Sequence, residues 1–322
     1  MQNKINQLFI VSLLSLMQSC NNDTTVVKYS KNSSQPGPIL SAKKQQYVLT
    51  EEWKKYWYDG NAEITTYLLK QSRYGEIHNG NLVNIFVTED FSKLKQVKLD
   101  EPSAAGADKI NVLKLNQALK FVTGIYPYSL MLSAFSPVDI NNYPHAIKIT
   151  ATAQEWCGNA FFQLNNRNNR FLIEQRSYFE KETDQDISLE PVLLEDECWN
   201  IIRIDPEKLP QGDHMILPGA LYLRLSHKEI SPVRAKFSLL SNDSNFIYTA
   251  VFPSLERALD ITIEKKFPYK ILKWNDSFPG IDGKVLTTTA LLNKTMRIDY
   301  WKKHNNIDKK LRVELGLPED TQ

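Results

Sequence analysis

Cysteine is scarce in this sequence: three residues in 322, at positions 20, 157 and 198. A chain of this length can bury a sizeable core, so no disulfide framework is required to hold it. An excess of one charge is also lacking. Lysine and arginine number 39 against 37 aspartates and glutamates, a formal net charge of +2. That balance excludes a basic nucleic-acid stripe or a general polyanion binder. With 12 glycines and 15 prolines the chain is not fibrous or of low complexity. Signature motifs are missing too. There is no HExxH, CxxC or HxH, no EF-hand order, no GxGxxG and no GxxxxGK[ST]. Neither a metal nor a cofactor is therefore expected.

Long hydrophobic runs are absent. The longest near the N-terminus is LFIVSLLSLM, Leu8 to Met17. As a helix it would span only about 15 Å, half of a bilayer core. With Lys4 before it, residues 1–19 read as a secretory signal. Met17, Ser19 and Cys20 at its end resemble the lipobox of bacterial lipoproteins, in which the cysteine receives acyl chains. Asn21, rather than Asp, follows Cys20, so outer-membrane anchoring in the cell envelope is expected. Acyl chains on Cys20 would make the membrane a partner, each buried CH₂ contributing about 0.8 kcal/mol. Residues 20–46 are rich in Asn, Ser, Lys and Pro without apolar period and read as a flexible tether. Its reach is about 25–30 Å. Residues 47–322 form the body.

The body reads as mainly β. Aromatics stand at 11%, and apolar side chains alternate at 147–153, 221–225 and 259–263. TEEWKKYWYD, residues 50–59, is instead helical, with Thr50 as cap and Trp53 and Trp57 four apart. Asn79-Gly80 predicts a hairpin turn, and NNRNNR, residues 165–170, predicts another. LPGALYLRLSH, residues 217–227, reads as a strand. Pro127 should break a ladder or lie at an edge. Roughly a dozen strands suggest a large curved antiparallel sheet or a partly open barrel with a short N-terminal helix.

The stretch QEWCGNAFFQL, residues 154–164, stands out. Apolar parity is odd from 147 to 153 and even at Trp156, Phe162 and Leu164. A bulge or bend over Glu155, Trp156, Cys157 and Gly158 would explain the shift and makes them the candidate functional or structural corner. In the structural version of that reading Trp156 packs the corner. Trp-Cys-Gly also faintly resembles the redox site of thioredoxin-like proteins, but position 160 is Ala, so no resolving cysteine exists. Cys157 and Cys198 could be bridged in an oxidising compartment, or remain free. Five histidines occur, and none forms a local signature with Cys157; His145 is nearest. Seven acidic residues fall between Glu182 and Glu197 and read as a solvated loop.

With RYGE, GIYPYS, LEDECWNIIR and YWKKH added to QEWCGNAFFQL, the chain resembles a Bacteroidota family of secreted lipoproteins. Some of its members carry the label septum formation inhibitor Maf. True Maf proteins are cytosolic nucleotide pyrophosphatases with a Ser-Pro-Arg-Arg motif on an α/β fold. The nearest string here, Ser136-Pro137-Val138-Asp139, lacks both arginines. The resemblance thus implies an envelope lipoprotein and no hydrolysis of nucleoside triphosphates. The expected function is non-catalytic: the concave face binds a lipid, a glycan or an envelope protein, and no nucleic acid. The alternative is an envelope hydrolase or transferase using Cys157 or the acidic residues.

Overall fold

The computed structural model describes residues 47–280 and 282–319. Cys20, the signal segment and the whole tether lie outside the described residues. Helix α1 spans Glu51–Trp57. Thr50 Oγ1 accepts the Trp53 N–H at 3.1 Å, and two glutamates occupy the first turn, where the helix dipole favours them. Trp53 and Trp57, one turn apart, are both buried.

Eight strands then follow as a meander: β1 (Ala62–Arg73), β2 (Glu76–Ser92), β3 (Lys109–Thr123), β4 (Tyr126–Pro137), β5 (Lys148–Glu155), β6 (Gly158–Arg167), β7 (Arg170–Ser177) and β8 (Gln185–Leu189). A short β9 (Leu193–Leu194) leads into helix α2 (Glu195–Ile204), β10 (Gly212–Leu217) and helix α3 (Ala220–Ser226). A second meander completes the sheet: β11 (Val233–Ser241), β12 (Asn245–Phe252), β13 (Arg257–Glu264), β14 (Ile271–Pro279) and β15 (Val285–Ile298). All fifteen described strands belong to one sheet in the order β8 to β1, then β15 down to β9. The expected large antiparallel sheet is therefore present. One pair is parallel, β9 with β10.

The edges of this sheet, β8 and β9, are neighbours in sequence. Leu189 ends one and Leu193 opens the other, so only three residues, 190–192, join them, and the span is at most about 14 Å. The sheet has to roll until its edges face each other, yet among the described residues no ladder closes the seam. Helix α2 fills the inside of the roll. Nine of its ten residues are buried, which a helix shows only at the centre of a protein. Its contacts reach both halves of the sheet. Asn200 Nδ2 donates to Ala134 O (3.2 Å) and Ser136 Oγ (2.9 Å) on β4. Trp199 meets Trp274 of β14 edge-on at 5.1 Å. Arg203 forms a two-pronged pair with Glu63 of β1, at 2.6 and 2.7 Å.

Several local expectations fail for identifiable reasons. Asn79 and Gly80 lie inside β2, not at a turn. Gly80 is there for close approach: a Cβ would stand 2.4 Å from Lys120 O on β3. The turn falls at Tyr74 and Gly75, both with positive φ, as a tight hairpin requires. Residues 220–226 form α3 rather than a strand. Alternating leucines mimic a strand there, but Ala220, Leu221, Tyr222 and Leu223 are all buried, so no exposed face interrupts the pattern. The acidic run is not one solvated loop either, since Glu195, Asp196 and Glu197 form the buried first turn of α2. By contrast, the 165–170 hairpin turns at Asn168 and Asn169, both with positive φ. Pro127 sits where β4 is locally an edge, because the ladder to β5 starts only at Ser129.

Candidate functional site at the mouth of the roll

In an antiparallel meander alternate turns gather at one end. The β1–β2, β3–β4, β5–β6 and β7–β8 turns therefore share an end, here called the mouth. Glu155 and Gly158 pair across the β5–β6 turn, so Trp156 and Cys157 form its tip. The parity shift in QEWCGNAFFQL is thus a chain reversal, not a bulge within one strand. Nor does Trp156 pack a corner. It is 69% exposed, alongside Ile125 (82%), Tyr178 (68%) and Tyr74 (51%) on the neighbouring turns.

These exposed side chains stand on a connected base. Tyr126 lies 6.3 Å from the Trp156 ring, and its hydroxyl donates to Tyr74 Oη at 3.2 Å. Tyr74 and Tyr128 share a hydrogen bond of 2.7 Å. Burial pushes the Tyr128 phenol upward in pKa, so it remains a neutral hydroxyl. Arg73 lies over the Tyr74 ring at 4.4 Å and donates to Leu225 O at the end of α3. Gly158 is fixed by sterics: a Cβ would stand 2.6 Å from the Tyr178 ring.

Below the rim a charged network ties the sheet to α3. Arg224 donates to Glu155 Oε1 at 2.8 Å and to Glu182 Oε1 at 3.1 Å. Its guanidinium lies 4.3 Å from the Phe179 ring centre. His227 Nδ1 donates to Glu182 at 2.6 Å, while its Nε2 accepts from Arg73 at 3.4 Å. Ser177 Oγ donates to Glu182 at 2.6 Å. Burial works to raise the Glu182 pKa, but the His227 and Ser177 hydrogen bonds and the charge of Arg224 outweigh it and hold the group below its usual range.

The candidate residues thus take distinct places. Glu155 is a buried strut, Trp156 an exposed ring and Gly158 a steric necessity. Cys157 is exposed and free. The bridge to Cys198 is not formed: Cys198 is also free, sits inside the roll on α2, and donates to Leu194 O at 3.6 Å. Burial drives its thiol pKa up, so it is inert. His145 cannot serve Cys157 as a base. It precedes β5 and Cys157 follows it, so the strand separates them by roughly 25 Å. His145 instead meets Glu197 at 3.0 Å.

A second charged cluster lies deeper, at the start of α2. Glu195 accepts from Arg257 at 2.6 and 2.7 Å and from the Gly219 N–H at 3.0 Å. Arg257 also holds Asp276, at 2.7 and 3.0 Å. Asp196 accepts the Ala220 N–H at 3.0 Å. Its pKa is pushed up to about 7, first by burial and then by the charge of Glu195. Sequence reasoning missed this cluster. One signal was available: three acids directly before an apolar stretch mark a helix N-terminus. Arg257, Asp276, Arg224 and His227 gave none.

Among the described residues no group of three or more His, Cys, Asp or Glu side chains is placed to hold a metal ion. No described helix is long and apolar enough to cross a membrane. No family model matches the chain, and no curated protein or solved structure matches it.

Proposed function

We propose that the chain is an outer-membrane lipoprotein of the cell envelope, anchored through Cys20, and that its mouth holds a protein partner without performing chemistry on it. The observation that carries this reading is the exposed set Tyr74, Ile125, Trp156 and Tyr178 standing on a half-buried ionic base. Rigid aromatic side chains lose little entropy on binding, and Trp, Tyr and Arg dominate the energetics of protein interfaces.

Tyr47 is fixed by a reciprocal pair of hydrogen bonds. Its backbone N–H donates to Asn141 Oδ1 at 3.0 Å, and Asn141 Nδ2 donates back to Tyr47 O at 2.7 Å. Asn141 lies in the β4–β5 connection, at the end opposite the mouth. Tyr47, the first described residue, is thereby held at the end of the roll opposite the mouth. The proposed partner is a protein of the envelope.

The test places a photo-crosslinking residue at Trp156 in cells and, as control, at Leu94, which is exposed on the β2–β3 connection at the opposite end. One discrete protein adduct at 156, absent at 94 and abolished by Tyr178→Ala with Ile125→Ser, is the expected result. Equal labelling at both positions, or an adduct to lipid or glycan alone, would overturn the reading.

A further inference from the structure

At the end of the roll opposite the mouth lies an open pocket of about 280 Å³, bounded by the chain before α1, the end of α2 and the β13–β14 connection. Five of its lining side chains are aromatic: Tyr47, Trp53, Phe246, Phe267 and Tyr269. Three hydrogen bonds fasten this wall to the last turn of α2. Trp53 Nε1 donates to Arg203 O and Tyr47 Oη to Ile204 O, each at 3.0 Å. Arg203 Nε donates to Pro268 O, between Phe267 and Tyr269, also at 3.0 Å. Those two rings meet edge to face at 5.5 Å and 86°, so they form a corner rather than a flat patch.

Negative charge gathers behind the rings. An α-helix carries about half an elementary negative charge at its C-terminus, and Ile204, the last residue of α2, lines the pocket. Arg203 in that turn is already neutralised by Glu63. Asp205 follows at once and Glu207 comes two residues later. Both line the pocket, and neither has an ion pair among the described residues. Asp205 Oδ1 accepts the Glu207 N–H at 3.0 Å, which holds the carboxylate in place. Burial first, and the charge of Asp205 next, raise the pKa of both the Tyr47 and the Tyr269 phenol, so this carboxylate acts on both rings. Glu207 and Glu52 add to the effect on Tyr269.

Two cations of the chain itself approach the wall. Lys265 lines the pocket, donates to Asn242 O at 3.3 Å and stands 5.7 Å from the Phe246 ring centre. Lys208 stands 6.0 Å from the Tyr47 ring centre. The rings of Trp53, Phe267 and Tyr269 have no such cation among the described residues.

An aromatic corner backed by carboxylates selects for an organic cation. A hard metal ion needs six or more oxygen ligands, which rings do not supply. A primary ammonium brings three N–H donors, and the α2 carbonyls of Arg203 and Ile204 are already taken by Trp53 and Tyr47. A quaternary ammonium has no donors to satisfy and is held by ring faces. An engineered cavity of about 150 Å³ holds benzene, so this pocket has room for a cation of choline size. We propose that it binds a quaternary ammonium group, seated in the Phe267–Tyr269 corner and facing Asp205.

The site is independent of the partner proposed for the mouth, and its test involves no protein partner. Choline chloride is titrated calorimetrically into the full chain. Neohexanol, in which carbon replaces the charged nitrogen, is the neutral isostere, and sodium chloride is the ionic control. Saturable binding of choline alone is expected. Tyr269→Leu should weaken it by about tenfold and Asp205→Asn by about fivefold, while Tyr269→Phe, which keeps a ring face, should stay within about twofold of the wild type. Asp205→Asn can still accept the Glu207 N–H, so it tests the site even if Tyr269→Leu fails to fold. Glycerophosphocholine identifies the source: binding as tight as that of choline assigns a lipid headgroup, and weaker binding a free cation. No choline binding, equal binding of neohexanol, or unchanged affinity in Asp205→Asn would overturn the proposal.

Discussion

Arg203 and Arg257 are both buried inside the roll, and their surroundings differ. Arg203 meets one carboxylate, Glu63. Every other group nearby completes that pair: Tyr56 donates to Glu63 at 2.5 Å, Arg203 Nε donates to Pro268 O at 3.0 Å, and Trp53 Nε1 donates to Arg203 O at 3.0 Å. The stoichiometry is one to one, and the cluster ties α1, α2 and β1 together. Arg257 stands among three carboxylates, and one of them, Asp196, has no ion pair among the described residues. The first arrangement is a lock. The second carries a surplus of negative charge in a place that water hardly reaches. A balanced buried pair fixes structure; an unbalanced one responds to protons and cations.

Breaking the lock should have the largest effect. Glu63→Ala leaves the Arg203 guanidinium buried without a counter-charge, at a cost of about 5 kcal/mol, the upper end for such pairs. Denaturant unfolding should show it. Replacing both residues, Glu63→Gln with Arg203→Met, should recover much of the loss.

Removing the surplus should act in the opposite direction. The Asp196 pKa is raised from 3.8 to about 7 in the folded chain. Between those values the folded state holds a proton that the unfolded state has released, so stability falls as pH rises through that window. Asp196→Asn, which can still accept the Ala220 N–H, should abolish this fall. Its advantage over the wild type should be absent below pH 4 and reach about 4 kcal/mol above pH 7. Unfolding curves measured from pH 4 to 8 decide it; parallel pH profiles for the two proteins would contradict the unbalanced-cluster reading.

The mouth should show smaller changes. Gly158→Ala drives a Cβ into the Tyr178 ring and should cost about 1–3 kcal/mol, as overpacking does. Displacement of that ring should also lower the crosslinking yield at Trp156. Least of all, Cys157→Ser should alter stability by no more than about 0.5 kcal/mol, as expected at an exposed site. A thiol reagent should label Cys157 in the native protein and reach Cys198 only on unfolding. Non-reducing mass analysis that finds the two joined would contradict the free thiols.

Legibility in the sequence followed exposure. Strands with one wet face write their alternation plainly, as at Lys148–Glu155 and Arg257–Glu264, and they were readable. Helices α2 and α3 are dry on nearly every side, so no polar stripe marks their period. The acids of α2 looked solvated because charge usually is, and the counter-ion that reverses the inference, Arg257, is 62 residues away from Glu195. Of the corner at Glu155–Gly158, the location was legible. Its meaning was not, because Arg224, Glu182 and Tyr178 arrive from later parts of the chain. Asn79-Gly80 misled because glycine serves close packing as well as turning.

The seam between β8 and β9 has a consequence for how the chain could be rewired. The strands nearest the two chain ends, β1 and β15, pair at the middle of the sheet, with Ala62 opposite Ile298. Join the chain there and open it at 190–192, and the strands would follow one another across the sheet in strict order, β9 through β15 and then β1 through β8. The natural connectivity makes the central pairing the most distant one in sequence, so a loop of over two hundred residues has to close before the middle of the sheet exists. A circular permutant opened at the seam would turn that pairing into a local one, and it should fold faster to the same roll.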